Sequence, residues 1–217
     1  MSEFWHSFHP ESSGWLFMWA LLVVAGFMIA IAIERTFYIY IKSNIDAERF
    51  MSQIRKWVAA KDYKRAIALC RSVKDKALPQ VVLSGLVKAS KLKVANFRSV
   101  QNAVDEGTLE VIPKLQARTN YLAMIGNIST LTGLMGTIYG LILSFRSVSA
   151  PGIDAAEKSR LLAHGISVAM NTTLAGLAVA IPAILIYTIL HNKTTRIIDD
   201  IDEHTVKLIN LITEEEE

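Results

Sequence analysis

Hydroxyl-bearing and small side chains recur along two apolar stretches of the sequence. Each stretch carries five of them at steps of three and four residues, which places them on one face of a helix: Thr130, Gly133, Thr137, Gly140 and Ser144 in one, and Ala169, Thr173, Gly176, Ala180 and Ala183 in the other. Small residues let helix backbones approach closely in lipid, so one interpretation is a packing seam. The hydroxyls of Thr137 and Thr173, near the middle of the two faces, could also line a hydrated path for an ion. The spacing leaves both interpretations open.

The same stretches contain no carboxylate, Lys or Arg, and the two histidines of the second stretch, His164 and His191, fall near its ends. Thr119 to Phe145 and Leu161 to Asn192 hold no Asp, Glu, Lys or Arg, and neither does Ser12 to Ile33. Because a threonine hydroxyl does not ionise in this range, the chain offers no side chain at mid-membrane that binds and releases a proton. If protons cross here, a partner must supply the titrating group.

The composition argues against a soluble enzyme. Hydrophobic residues make up 52% of the chain and charged residues 20%, and the mean hydropathy is +0.32. Cys70 is the single cysteine, which excludes an internal disulfide. His6 and His9 have the spacing of metal ligands on a helix but lack companion ligands. We therefore predict no catalytic residue, no cofactor and no metal site.

The elements that must position the two threonines are membrane-spanning helices, because about 20 apolar residues cross a ~30 Å hydrocarbon core. We predict an all-α integral membrane protein with three transmembrane helices and long cytoplasmic helical extensions. Seventeen Lys or Arg against seven acidic residues give Arg35 to Arg118 a charge of +10, which places this segment in the cytoplasm and the N-terminus outside. The predicted order is a periplasmic tail (1–14), a first span (15–41), a cytoplasmic helical segment (42–118), a second span (119–145), a periplasmic loop (146–160), a third span (161–192) and a cytoplasmic helical tail (193–217).

Charges at the membrane surface follow from this topology. Glu34 and Arg35 come directly after the apolar run of the first span and are predicted to form an interfacial charge pair, with a gating role as the other interpretation. Acidic residues before the run and the Glu-Arg pair after it favour a retained anchor over a cleaved signal peptide. No zinc, helix-turn-helix or RNA-binding motif accompanies the basic segment, so nucleic acid is not a predicted partner.

The cytoplasmic parts also have helical periodicity. Apolar residues recur at steps of three and four from Ile45 to Asn120, with a break predicted within 74–79 and a kink at Pro113. After the third span a stripe continues at steps of four, four, three and four. We expect the third helix to extend into the cytoplasm, where this stripe packs against the chain's own long segment or against neighbouring copies. The stripe consists of Ile197, Ile201, Thr205, Leu208 and Ile212.

With these motifs the sequence resembles the MotA/TolQ/ExbB proton-channel family, in its three-span ExbB/TolQ-like branch. TGLMGTIYGLILSF (132–145) and GISVAMNTTLAGLAVAIPA (165–183) carry the likeness. The resemblance implies a bacterial inner-membrane motor subunit, a homopentamer around an ExbD/TolR-like single-span partner dimer that carries a membrane aspartate. Together they would convert the proton motive force into work at the envelope, in biopolymer transport, outer-membrane energisation or gliding. The family's functional threonines fall on Thr137 and Thr173, and the packing seam is predicted at Gly133, Gly136, Gly140, Ala169, Gly176 and Ala180.

The sequence departs from the resembled proteins at two places. Many of them have glutamate where this chain has Val168, and Ala-Pro where it has Ser129-Thr130. A mechanism that needs that glutamate is therefore in question, as is the process that the protein energises. The competing hypothesis is a non-conducting oligomeric membrane scaffold. A solute transporter comes third, because the chain has no inverted repeat and no midplane charge.

Overall fold

The protein is described from a computed structural model that covers residue 8 and residues 14–91, 97–149 and 152–214. Every regular element in those residues is helical, as the sequence predicts. The elements in chain order are α1 (Trp15–Phe37) with a π-helical turn (Tyr38–Ser43), α2 (Ala47–Ala59), α3 (Tyr63–Ser72), α4 (Ala77–Lys91), α5 (Phe97–Gln116), α6 (Thr119–Val148) and α7 (Ala155–Glu214).

The chain divides into two compact units. The apolar unit contains the residues up to Ile33 and Arg118–Thr188, and the charged unit contains Glu34–Ala117 and Ile189–Glu217. Three helical stretches, which include α1, α6 and α7, are long and apolar enough to cross a membrane. The prediction of an all-α protein with three candidate spans is therefore confirmed.

The helices around the predicted outer loop extend past the apolar runs. α6 continues to Val148, and α7 begins at Ala155, where the Asp154 carboxylate accepts a hydrogen bond of 2.7 Å from the Glu157 backbone N–H. This acidic N-cap lets the helix start within polar sequence. Helix ends and membrane boundaries therefore differ here, and the span limits stay a prediction. Most of the predicted outer tail, including His6 and His9, lies outside the described residues, as do Pro151 and Glu215 to Glu217.

In the charged unit, local sequence signals account for the helix ends. Asp46 and Asp62 cap α2 and α3, accepting hydrogen bonds from backbone N–H groups three residues later, at 3.1 and 3.2 Å. Lys61 adopts a left-handed conformation, with φ of 57°, between these two helices. The Lys61 and Asp62 N–H groups bond back to the Val58 and Trp57 carbonyls, which is the pattern of a Schellman motif.

The chain breaks near the predicted position in the charged unit, and the predicted kink at Pro113 stays a prediction. The chain turns between Ser72 and Ala77, which overlaps the expected region of 74–79, and Pro79 lies in the first turn of α4, where a missing N–H costs little. Pro113 lies inside α5, which continues to Gln116 before the chain turns at Arg118.

The apolar stripe of the tail belongs to the same helix as the third candidate span. α7 is one element of 60 residues, more than twice the length that a hydrocarbon core requires. All five stripe residues are buried in the charged unit, which supports packing against the chain's own long segment. Two polar residues of the same helix outside the stripe, His204 and Thr194, are also buried, at 6% and 3% exposed.

Candidate functional site

The seam between α6 and α7 is a contact of backbone against backbone. A Cβ atom placed on Gly176 would lie 2.7 Å from the Ser129 carbonyl oxygen and 3.0 Å from the Gly133 Cα. A Cβ on Gly133 would lie 3.0 Å from the Thr172 carbonyl oxygen and 3.2 Å from the Thr173 Cα. Only glycine fits at these two positions without movement of the opposite backbone.

The seam continues in antiparallel register on both sides of this contact. Towards the start of α7, a Cβ on Gly140 would lie 3.0 Å from the Ala169 Cβ. In the other direction, a Cβ on Gly126 would lie 2.7 Å from the Ile184 Cγ1 and 3.4 Å from the Ala180 carbonyl oxygen. All six residues of the predicted seam are buried along this line of contact: Gly133, Gly136, Gly140, Ala169, Gly176 and Ala180.

Thr173 and Thr137 both lie beside the Gly133 peptide. The half-buried Thr173 hydroxyl donates to the Gly133 carbonyl oxygen across the seam, at 3.2 Å. Thr137 is a half-buried residue, and its hydroxyl donates instead within its own helix, to the Leu134 carbonyl oxygen at 2.6 Å. Thr137 is four residues after Gly133 in α6, so its backbone N–H is in register to bond the same carbonyl. The Gly133 carbonyl is thus the group that the two predicted threonines have in common.

Two buried hydroxyl residues of the seam were not predicted from the sequence. Thr172 and Ser129 are both 0% exposed. The Thr172 hydroxyl donates to the Ala169 carbonyl oxygen at 2.7 Å and lies 3.4 Å from the Gly133 carbonyl oxygen. The Ser129 Oγ has no hydrogen-bond partner among the described residues.

The buried face of α6 differs in part from the predicted one. It follows Ser129, Gly133, Gly136 and Gly140, whereas Thr130 is exposed and its hydroxyl bonds the Gly126 carbonyl oxygen of its own helix at 3.1 Å. Both sets of residues keep helical spacing through Gly133 and Gly140. No signal in the sequence separated Ser129 from Thr130, because both are small hydroxyl residues about one turn before Gly133.

The first helix packs on the other side of Thr172. A Cβ placed on Gly14 would lie 2.9 Å from the Thr172 Cγ2 and 3.7 Å from the Val168 Cγ1. Met18, Leu21 and Ala175 form a buried cluster against which Phe8 packs. Val168, at the position where the resembled proteins often have glutamate, is 9% exposed and faces this apolar contact.

Arg35 is a structural anchor in the charged unit. It is 3% exposed, and its guanidinium donates to the backbone carbonyl oxygens of Lys114, at 3.5 Å, and of Leu115. The guanidinium carbon also lies 4.9 Å from the centre of the Tyr38 ring. A cation at the carboxyl end of α5 satisfies carbonyl groups that the helix leaves open. Glu34 is exposed, and its predicted pairing with Arg35 stays a prediction.

Two ionisable groups outside the seam have pKa values shifted by burial or by a neighbouring charge. Burial raises the pKa of the Cys70 thiol to about 12, and the Lys207 ammonium lowers the pKa of Glu203 on the exposed side of α7. Among the described residues, no group of His, Cys, Asp and Glu is arranged to hold a metal ion.

Comparison with known proteins identifies the family of the chain. The family model described as the MotA/TolQ/ExbB proton channel family matches residues 74–203. The chain is 41% identical over 90 residues to biopolymer transport protein exbB1 of Vibrio cholerae, which covers 42% of this chain and 38% of that one. It is 31% identical over 141 residues to the Tol-Pal system protein TolQ of Haemophilus influenzae, which covers 59% of this chain and 60% of that one.

A solved structure supports the fold. The structure of C. jejuni MotAB superposes with a TM-score of 0.64 at 17% identity, over 96% of this chain and 79% of that one. The matched family model covers the basic helical segment from Lys74, the second span and the third span with most of its extension. The chain belongs to the MotA/TolQ/ExbB proton channel family.

Proposed function

We propose that this chain is the ring-forming subunit of an ion-driven motor in the bacterial inner membrane. With an ExbD/TolR-like single-span partner, it converts the proton motive force into mechanical work at the cell envelope. The observation that carries the proposal is the Thr173 hydroxyl, half-buried at the Gly133 carbonyl in a seam between two apolar helices. Family membership and the likeness to exbB1 and TolQ support the same role.

The assembly that we propose is a homopentamer around a partner dimer. Large apolar side chains such as Phe27, Leu131, Met170 and Leu185 are exposed on the three candidate spans. Some of these faces would contact lipid and others neighbouring copies, since a closed ring needs two complementary faces on each subunit. The name of the solved MotAB structure and the Tol and Exb names favour an oligomer with a partner.

In the proposed mechanism the proton is carried by an aspartate of the partner. The apolar walls of the spans favour the neutral carboxyl because desolvation disfavours its charged form, whereas hydroxyl donors favour the carboxylate. Thr137 and Thr173, both half-buried, are the hydroxyls that would meet it. Each proton that moves down the electrical gradient contributes about 2.3 kcal/mol per 100 mV. That free energy biases a step of the partner from one subunit to the next.

The proposal is tested by proton flux into liposomes that contain the ring with its partner. Thr137→Val and Thr173→Val keep the side-chain shape and remove the hydroxyl. We expect each to lower the flux about tenfold, because a hydrogen bond to a charged group contributes roughly 1.5–3 kcal/mol. Thr→Ser at the same positions should retain more flux. Thr130→Val is the matched control, since Thr130 is an exposed residue whose hydroxyl bonds only its own helix in the described contacts.

The competing function is a non-conducting membrane scaffold. A ring without partner should be nearly proton-tight, and added partner should raise the flux only when its membrane aspartate is present. A double valine variant that conducts like the parent complex would reduce Thr137 and Thr173 to packing residues. A parent complex that conducts no more than empty liposomes would favour the scaffold.

The proposed orientation puts the N-terminus and the α6–α7 loop in the periplasm. Cys70 is buried, so it would resist a thiol reagent on either side of the membrane and is a poor reporter. In a Cys70→Ala background, Ala156→Cys and Ala68→Cys place cysteines at exposed positions before the third span and in the basic segment. A membrane-impermeant maleimide should label position 156 in intact cells and position 68 only after lysis. The reverse pattern would overturn the orientation.

A further inference from the structure

Thr172 lies at one buried point between the residue before the first helix and the middle of the second. Its Cγ2 faces Gly14, where an added Cβ would lie 2.9 Å away. Its Oγ1 faces Gly136, where an added Cβ would lie 2.7 Å from the oxygen and 2.8 Å from the Thr172 Cβ. Each γ group of this side chain therefore occupies the space that a glycine on another segment leaves open.

Hydrogen bonds hold the Thr172 side chain in one orientation. Its hydroxyl donates to the Ala169 carbonyl oxygen at 2.7 Å and lies 3.4 Å from the Gly133 carbonyl oxygen. A β-branched side chain has few rotamers in a helix, and at 0% exposure contacts on both sides restrict it further. Thr172 therefore cannot turn without moving the start of α1 or the middle of α6.

The neighbouring residue is Thr173, whose hydroxyl bonds the Gly133 carbonyl oxygen at 3.2 Å. A small rotation of α7 about its axis, or a small shift along that axis, would break this hydrogen bond. The contacts of Thr172 with Gly14 and Gly136 oppose both movements.

We propose that Thr172 is a positioning residue, which locks the third helix against the first and second and so holds the Thr173 hydroxyl at the Gly133 carbonyl. The functional part of this inference rests on the proposed role of Thr173 in ion flow. Thr172 does not itself meet the ion, because its hydroxyl is fully buried and already donates to a backbone carbonyl.

The first test is a set of substitutions at position 172, with proton flux of the complex with its partner as the measurement. Thr172→Ala removes both γ groups and should lower the flux about tenfold, the effect of roughly 1.4 kcal/mol. Thr172→Ser keeps the hydroxyl, with its bond to Ala169 and its contact with Gly136, but loses the Cγ2 that faces Gly14, so it should lose less flux than Thr172→Ala. Flux in Thr172→Ala equal to that of the parent complex would overturn the proposal, and so would an equal loss in Ala and Ser.

The second test is a rescue across two helices. Gly14→Ala introduces a Cβ against the Thr172 Cγ2 and should lower both the flux and the melting temperature in detergent. Adding Thr172→Ser removes that Cγ2 and should restore both quantities in the double variant. Gly26→Ala is the matched control on α1, since a Cβ there would meet no atom within 4 Å.

The two readouts separate this proposal from the proposed function. Additive losses of melting temperature in the double variant would show that Thr172 does not lock α1 to α7, whatever the flux. A parent complex without proton flux would refute the motor function, while the rescue of the melting temperature would still establish the contact. Rescue of melting temperature without rescue of flux would show that the lock does not position Thr173.

Discussion

The contact between Gly133 and Gly176 in the apolar unit differs in kind from the glycine contacts of the charged unit. In the apolar unit, Gly133 and Gly176 bring two helix backbones together, with the opposite carbonyl oxygens and Cα atoms at about 3 Å from an added Cβ. In the charged unit, Gly85 of α4 and Gly107 of α5 accommodate side chains, namely those of Val104 and Ser84. The contact between Gly133 and Gly176 leaves no room for a side chain on either helix, whereas Gly85 and Gly107 each leave space that a side chain of the other helix fills.

The difference follows from the solvent expected around each unit. In water, burial of apolar side chains drives helix packing, so a glycine pocket that receives a valine contributes buried area. Lipid chains are as apolar as the side chains, so helices associate through close backbone contact and through hydrogen bonds between them. The Thr173 bond to the Gly133 carbonyl is such a bond. A functional hydroxyl in this seam is therefore also a packing residue, and experiments must separate the two roles.

The largest expected effect is the difference in stability between two glycine-to-alanine variants, one in each kind of contact. Gly176→Ala places a Cβ 2.7 Å from a backbone oxygen, which cannot move alone, and should destabilise the protein by about 3 kcal/mol. Gly85→Ala places a Cβ 2.7 Å from the Val104 Cγ2, which a small side-chain shift relieves. We expect this variant to stay within about 1 kcal/mol of the parent, because alanine also favours the helix.

Unfolding of both variants in the same detergent, followed by circular dichroism, measures the difference. Equal losses of stability would show that the two glycine contacts are equivalent and that the distinction between the units is wrong.

A smaller effect is expected for the buried arginine of the charged unit. Arg35→Ala removes the donor of two carbonyl bonds at the end of α5 and should cost about 2 kcal/mol of unfolding free energy. Arg35→Lys should recover only part of this, because an ammonium lacks the planar fork of a guanidinium. Arg49→Ala is the matched control: Arg49 pairs with Asp46 at 3.2 Å while its side chain is 88% exposed, and such pairs contribute roughly 0–1 kcal/mol. Comparable losses in Arg35→Ala and Arg49→Ala would remove Arg35 from its anchoring role.

The smallest effect concerns hydroxyls of the α6–α7 seam. Ser129→Ala removes a buried Oγ that has no partner among the described residues, so we expect unchanged or slightly raised stability, by less than about 1 kcal/mol. Ser144→Ala removes a hydroxyl that donates to the Gly140 carbonyl oxygen at 2.8 Å and should lower stability by a similar amount. Thermal unfolding of the two variants tests the opposite signs. A clear loss in Ser129→Ala would mean that its hydroxyl has a partner in the assembled complex.

Much of the seam was predictable because helical spacing determines which residues share a face. Gly133, Gly140, Ala169, Gly176 and Ala180 could be assigned from steps of three and four in the sequence. The rotation of α6 about its own axis, which decides which of its small residues face α7, could not be assigned. Small residues occupy positions on both sides of the line through Gly133 and Gly140. Ser129 and Gly136 are buried, Thr130 is exposed and Thr137 is half-buried, and only the presence of α7 distinguishes them.

Thr172 illustrates the same limit. Adjacent threonines at 172 and 173 differ by about 100° around a helix, and the resemblance to the family identified only Thr173. That Thr172 is fully buried against Gly14 and Gly136 depends on three segments that are distant in the sequence.

The sequence by itself determined the helical class, the three apolar stretches and the absence of Asp, Glu, Lys and Arg within them, because these depend on composition and on periodicity along one helix. It also determined that Arg35 lies where an apolar run ends. Only the tertiary structure decided that Arg35 closes the end of α5, that Val168 faces an apolar contact, and that the Gly133 carbonyl receives the Thr173 hydroxyl. Each of these is a contact between residues at least 40 positions apart, and its geometry depends on how close two backbones come, which a local pattern does not encode.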